Sequence, residues 1–198
     1  YLLNTIEKDS TSNTDEALIE IYEKLKPGEP ATRDSAKNQL ITRFFDAFKY
    51  DLSKVGRYKF NKKLDVCDRL FGQTLAEDIK KDNSILFKKG TVINREVLNE
   101  LKPLLKDGLN VKKVLINNEL DSYDKVQVVK VYDPNNNDRI INVIGNDPTI
   151  NKKRLTISDI YAATSYYLNL LEGIGNYDEI DHLSNRRVRQ VGELLQNQ

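Results

Sequence analysis

Lys125-Val126-Gln127-Val128-Val129-Lys130-Val131-Tyr132 is followed, after Pro134-Asn135-Asn136-Asn137-Asp138, by Arg139-Ile140-Ile141-Asn142-Val143-Ile144. Two runs rich in β-branched residues on either side of a Pro/Asn/Asp cluster predict a hairpin. Val126 and Val128 fall on one face and Val129 and Val131 on the other, so both faces are expected to be partly covered. N-terminal to this hairpin the pattern predicts strands over 70–79, 85–93 and 111–116. Between them lies a short helix that Asn94 can cap, carrying Val97, Leu98 and Leu101, with Pro103 expected to disturb its end.

Helical spacing dominates on either side. Ala17, Leu18, Ile21, Tyr22 and Leu25 form one apolar stripe behind a cap at Asn13 or Thr14, and Pro27-Gly28 ends it. Ala36, Leu40, Ile41, Phe44 and Phe45 form a second after Thr32. Ile160, Ala163, Tyr167, Leu168 and Leu171 form a third, started by Thr156 or Ser158 and ended by Gly173. Residues 1–6 are apolar enough for a short strand. The expected class is therefore α+β: helical segments 1–64 and 154–198 enclose a β-rich module, 65–153, that holds one short helix and the hairpin.

Composition excludes several classes of function. The 198 residues carry 31 basic and 30 acidic side chains, so a uniformly cationic DNA-coating protein and an acidic disordered tail are both ruled out. No apolar run approaches the roughly 18 residues of a membrane span. One cysteine, Cys67, and one histidine leave no disulfide framework and few soft metal ligands, and Cys67 reads as a reduced cytosolic thiol. The absence of methionine and the uncapped helical pattern at the end suggest a segment cut from a longer chain.

Two stretches carry candidate chemistry. Lys54, Arg57, Lys59, Lys62 and Lys63 occur with no acid among them and with Tyr58 and Phe60 interleaved. Cations that displace counterions and rings that stack on bases suit a nucleic-acid backbone; the plainer reading is a solvated basic face with buried aromatics. Then, after three acids in 178–181, Arg186, Arg187 and Arg189 gather three of the ten arginines in four positions. In a chain that prefers Lys by 21 to 10, that clustering singles out the planar guanidinium fork, which suits phosphate, carboxylate or guanine.

The run Asp178-Glu179-Ile180-Asp181-His182-Leu183-Ser184-Asn185-Arg186-Arg187-Val188-Arg189-Gln190-Val191-Gly192-Glu193 resembles the DDIDHLGNRRxRxVGE motif of the β subunit of bacterial RNA polymerase. Lys26-Pro27-Gly28-Glu29-Pro30 resembles RPGEP, and 50–61 resembles RYDLSxVGRxKxN, in the family's order. Lys26 replaces arginine, Ala31 proline and Ser184 glycine; the last change is expected to alter a turn that prefers positive φ. Gly72–Ile79 and Lys89–Ile93 are similar to small β-rich modules of the large polymerase subunits, so 65–153 is expected to be a lineage-specific insertion.

The resemblance implies the C-terminal part of the β lobe of a low-GC bacterial type, one wall of the downstream DNA cleft in a cytoplasmic enzyme. It implies no catalytic residue and no cofactor in this chain, because the family's magnesium is held by the partner large subunit. Implied partners are the rest of the β subunit, β′ and the other subunits, with σ factor, regulators and DNA, and no membrane. Carried over residue by residue, Ile180 would form the apolar wall of a pocket for an unstacked non-template guanine, Asp181 would read the base, and Arg186 would support it. Arg187, Arg189, Arg57 and Lys59 complete the expected nucleic-acid set, although Arg187 and Arg189 suit docking onto the rest of the subunit equally well. Asp181 could instead pair with Arg186 or Arg187 as a structural salt bridge. The insertion could instead be a platform for regulatory proteins, given its mixed charges.

Overall fold

The hairpin dominates the computed structural model, which describes residues 1–46, 48–49, 51–82, 84–115, 123–186, 188 and 190–196. Strands β4 (Tyr123–Asp133) and β5 (Asn136–Asn146) pair antiparallel, with Val129 opposite Val143 and Val131 opposite Ile141. Asp133 turns the chain: its Oδ1 accepts from Asn135 N at 2.8 Å. Strand β3 (Val111–Leu115) adds to the other edge of β4, giving the order β3-β4-β5. The expected strand 111–116 is thus present over its described part, residue 116 lying outside the described residues.

Both faces of the sheet are covered, as the two sets of valines required. On one face Val129, Val131, Ile141 and Val143 join a continuous buried cluster with Val66, Leu70, Leu75, Ile79, Ile93, Leu101, Leu105 and Ile174. Helix α6 (Arg95–Lys106) supplies Leu101 and Leu105, and Asn94 caps it by accepting from Val97 N at 2.9 Å. Buried Gln127 ties sheet to helix, donating through Nε2 to the carbonyls of Leu105 and Leu109, both at 2.8 Å. Helix α7 (Ile157–Leu171) packs across β4 and β5, where Ser165 Oγ accepts from Ile144 N at 3.0 Å. Thr156 is its cap, in a reciprocal capping box with Asp159. Gly173, at φ 79°, ends the helical run as expected.

Helices α2 (Thr14–Leu25) and α3 (Arg33–Phe44) pack on each other and start at the predicted caps, Asn13 and Thr32. The order begins with α1 (Leu2–Glu7), where the sequence predicts a strand. A short apolar run suits either element; here the six residues close a helical turn, and none is buried. Elsewhere the expected strand 70–79 is shorter: α5 (Cys67–Leu70) precedes an extended stretch with isolated bridges at Thr74 and Leu75, and β1 is only Ile79–Lys81. Strand β2 (Ser84–Phe87) also stops early, because Asp78 Oδ1 accepts from Lys89 N at 2.8 Å and Gly90 turns at φ 84°. Pro103 does not break α6, which runs through it to Lys106. It lies in the last turn, where few residues remain to be displaced. Buried Cys67 has its thiol pKa pushed up, first by burial and then by the neighbouring Asp65 carboxylate.

Candidate nucleic-acid interface

The basic stretch folds into helix α4 (Ser53–Leu64), and helical phase sorts its side chains. Lys54, Val55, Tyr58, Lys59 and Lys62 are exposed on one side, so the solvated basic face is present and Tyr58 stands within it, 68% exposed. Arg57 points the other way and is 3% exposed. Its Nη1 donates to Asp159 Oδ1 and Oδ2 at 2.8 and 2.9 Å, its Nε to the Lys152 carbonyl at 2.7 Å and its Nη2 to the Arg154 carbonyl. Asn61, one turn on, donates to the Ile150 carbonyl at 2.9 Å and accepts from Asn146 Nδ2 at 3.0 Å. Asp159 is satisfied on every side, also accepting from Asn146 Nδ2, Thr156 N and Thr156 Oγ1. The expectation that Arg57 contacts nucleic acid is therefore corrected. Its fork is spent inside the protein, where it joins α4 to the cap of α7 and to the carbonyls of Lys152 and Arg154 that precede it.

The motif loop lies against the opposite face of α4. Lys59 Nζ donates to the Ser184 carbonyl, and Lys63 Nζ sits 2.7 Å from Asp178 Oδ2. Partial burial works to lower the Lys63 pKa, but hydrogen bonding and charge interaction with Asp178 and Tyr166 outweigh it and hold the pKa above the usual lysine value; the Tyr166 ring centre lies 4.7 Å from the ammonium. Arg69 flanks the same ring at 5.0 Å, 1% exposed, and gives its protons to Asn169 Oδ1, Leu64 O and Ile144 O. Burial pushes this guanidinium down to about 10, so it stays charged at neutral pH.

Residues 178–186 hold a tight internal geometry. Asn185 Nδ2 donates to the Glu179 carbonyl at 2.7 Å, and residues 183–185 form a single 3₁₀ turn. Ser184 does not adopt positive φ. Its hydroxyl lies 2.7 Å from His182 Nδ1, which also accepts from Ser184 N at 3.2 Å, so the side chain that glycine lacks supports the turn. Asp181 Oδ1 pairs with Arg186 Nη2, and Arg186 Nε donates to the Ile180 carbonyl at 3.3 Å. The ion pair weighed against base reading is thus formed. It lies in solvent all the same, with the Asp181 side chain 82% exposed beside Ile180, itself 82% exposed. Asp181 Oδ2 has no partner among the described residues. Arg187 and Arg189 lie outside the described residues.

The structure thus brings Ile180, Asp181, Arg186 and Lys59 together and removes Arg57 from them. Sequence reading missed Asn61, Asp159, Tyr166 and the tie between Lys63 and Asp178. The spacing of 57 with 61 and of 59 with 63 was the available signal, since each pair shares one face of a helix. Among the described residues no three His, Cys, Asp or Glu side chains gather to hold a metal ion, and no helix is long and apolar enough to cross a membrane.

A model of the family RNA polymerase Rpb2, domain 2 matches residues 1–81 and 136–189, and the chain belongs to that family. Across its whole length it is 50% identical to the DNA-directed RNA polymerase subunit beta of Geobacillus thermodenitrificans and, likewise, to that of Staphylococcus carnosus. The corresponding subunit of Listeria innocua is 48% identical. The chain spans 17% of the length of each of these relatives.

Proposed function

We propose that this chain works in DNA-templated transcription as a lobe segment of the polymerase β subunit, forming one wall of the downstream DNA cleft. Within that wall, Ile180, Asp181 and Arg186 form part of a pocket for a non-template guanine. The observation that carries this reading is the exposed Asp181 carboxylate, oriented by Arg186 next to the exposed Ile180 side chain. A carboxylate accepts only, and the Watson–Crick edge of guanine presents two adjacent N–H donors where adenine does not. Arg186 takes one oxygen without closing the other, so the pair orients the acceptor. The exposed Lys54, Tyr58 and Lys62 of α4 are suited to the phosphates and bases of the same strand. Arg187 and Arg189 remain proposed phosphate or docking contacts.

On this reading the segment performs no phosphoryl transfer. The magnesium belongs to another subunit, and the partners are the rest of the β subunit, β′ and the other subunits, σ factor and DNA in the cytoplasm. Residues 65–153 are proposed as an inserted module. A second role for it, as a docking platform for regulators, is favoured by exposed Ile85, Leu86 and Val92 on and beside the β1–β2 hairpin.

The test is Asp181→Ala in the assembled polymerase, read as the preference for guanine over adenine at the downstream edge of the bubble. A bidentate contact worth about 1–3 kcal/mol corresponds to a preference of roughly 5- to 150-fold. The variant is expected to abolish it, and an unchanged preference overturns the pocket.

A further inference from the structure

The two ends of the reading loop are pinned by one helix. Asp178 and Ser184 lie three residues before and three after Asp181, and each is held by a lysine of α4: Asp178 by Lys63 and the Ser184 carbonyl by Lys59. These lysines are four residues apart, on one helical face. The loop has no buried side chain of its own: Tyr177, Ile180 and Leu183 are 79, 82 and 73% exposed. Hydrophobic burial therefore does not fix where it sits. Among the described residues, the hydrogen bonds and ion pairs that join 178–186 to another element are those of Lys59 and Lys63.

What makes α4 a firm support is its other face. Arg57 and Asn61 precede the two lysines by two residues each, a rotation of about 200° around the helix. They are tied to Asp159, Asn146 and the carbonyls of Ile150, Lys152 and Arg154. The helix cannot roll without breaking that buried network. The positions of both ammonium groups are thereby set from inside the protein.

We propose that Lys59 and Lys63 are positioning residues for base reading, clamping the loop on both sides of Asp181, and that Lys59 does not act chiefly as a phosphate contact. The proposal rests on the guanine reading above and adds the means by which the carboxylate is held in place. A lysine that braces a loop and a lysine that meets a phosphate leave different signatures. Loss of a phosphate contact weakens binding alike for every base and lowers the salt slope by about one. Loss of a brace removes base preference and leaves the slope alone.

The experiment uses the assembled polymerase carrying Lys59→Met, Lys63→Met, Lys59→Arg or Asp181→Ala, singly and with each Met variant combined with Asp181→Ala. Guanine-over-adenine preference at the downstream bubble edge and the salt dependence of DNA binding are read for each. Expected are an at least threefold loss of preference in both Met variants with unchanged salt slope, retention in Lys59→Arg, and no further loss when either is combined with Asp181→Ala. A base-independent loss with a lower slope, or Met variants that keep the preference while Asp181→Ala loses it, overturns the clamp and leaves the pocket standing. If Asp181→Ala itself keeps the preference, the pocket falls and the clamp's role in base reading falls with it.

Discussion

Arg57→Met removes the buried guanidinium from its network while keeping most of the side chain's length and apolar stem. Asp159, 2% exposed, then keeps Asn146 and Thr156 but loses its counter-charge, and the Lys152 and Arg154 carbonyls each lose a donor. Breaking a buried ion pair from one side costs about 3–5 kcal/mol, because the remaining charge cannot regain water. A chain of 198 residues has an unfolding entropy near 0.4 kcal/mol/K at about 2.1 cal/mol/K per residue, so the melting temperature should fall by about 7–12 °C. Differential scanning calorimetry of the 198-residue chain measures this directly, with exposed Lys54→Met as the control expected to shift it by no more than a degree or two. In the double variant Arg57→Met, Asp159→Leu the loss should be smaller than the sum of the singles, since neither charge is then left alone. A shift below 2 °C for Arg57→Met, together with weaker and less salt-sensitive DNA binding, would return Arg57 to the surface set and refute the buried assignment.

Two further outcomes follow from particular contacts. A Cβ at Gly145 would lie 2.7 Å from Val66 Cγ1 and 2.9 Å from the Leu64 carbonyl oxygen, so Gly145→Ala should cost about 1–3 kcal/mol in a urea titration, whereas Gly192→Ala, with open space around it, should not. In the α2–α3 region four carboxyl groups have lowered pKa values: Asp9 through Thr11, Glu16 through Ser12, Glu20 through Lys24 and Ser10, and Glu29 through Tyr22 and Lys26. The unfolded chain then binds more protons on acidification. Their stabilisation is complete above the ordinary carboxylate range near about 4 and is lost as pH falls through the lowered native values. Hydrogen exchange in acid should show protection lost over α2 before β4 and β5, and simultaneous loss would contradict it.

Much of this was legible from local pattern. The caps at Asn13, Thr32, Asn94 and Thr156 and the hairpin valines are short-range signals, and the structure uses them as read. Residues 1–6 failed because a short apolar run fits a strand or a helix equally well, and only a neighbour decides. Arg57 failed for a different reason. A run of cations read along the chain looks like one patch, but on a helix positions 57 and 61 lie about 200° round from 59 and 63, and Arg57 turns inward. The partner that claims Arg57 lies 102 residues away, where no local pattern announces it. The same holds for Lys59, whose carbonyl partner is 125 residues distant. In the 178–186 loop, the motif supplied the residue types, while the contact between Ser184 and His182 needed coordinates.

The family match is interrupted at 82–135, yet the buried cluster runs without a break from Val66 and Leu70 through Ile93, Leu101, Val129 and Val131 to Ile174. Ile93, Leu101, Leu105, Val129 and Val131 of that stretch therefore complete the core of the frame that carries the motifs. A relative built without such a stretch must present other side chains at the positions of Val66, Leu70 and Ile174, or leave them wet. A variant from which that stretch is cut should accordingly be unstable.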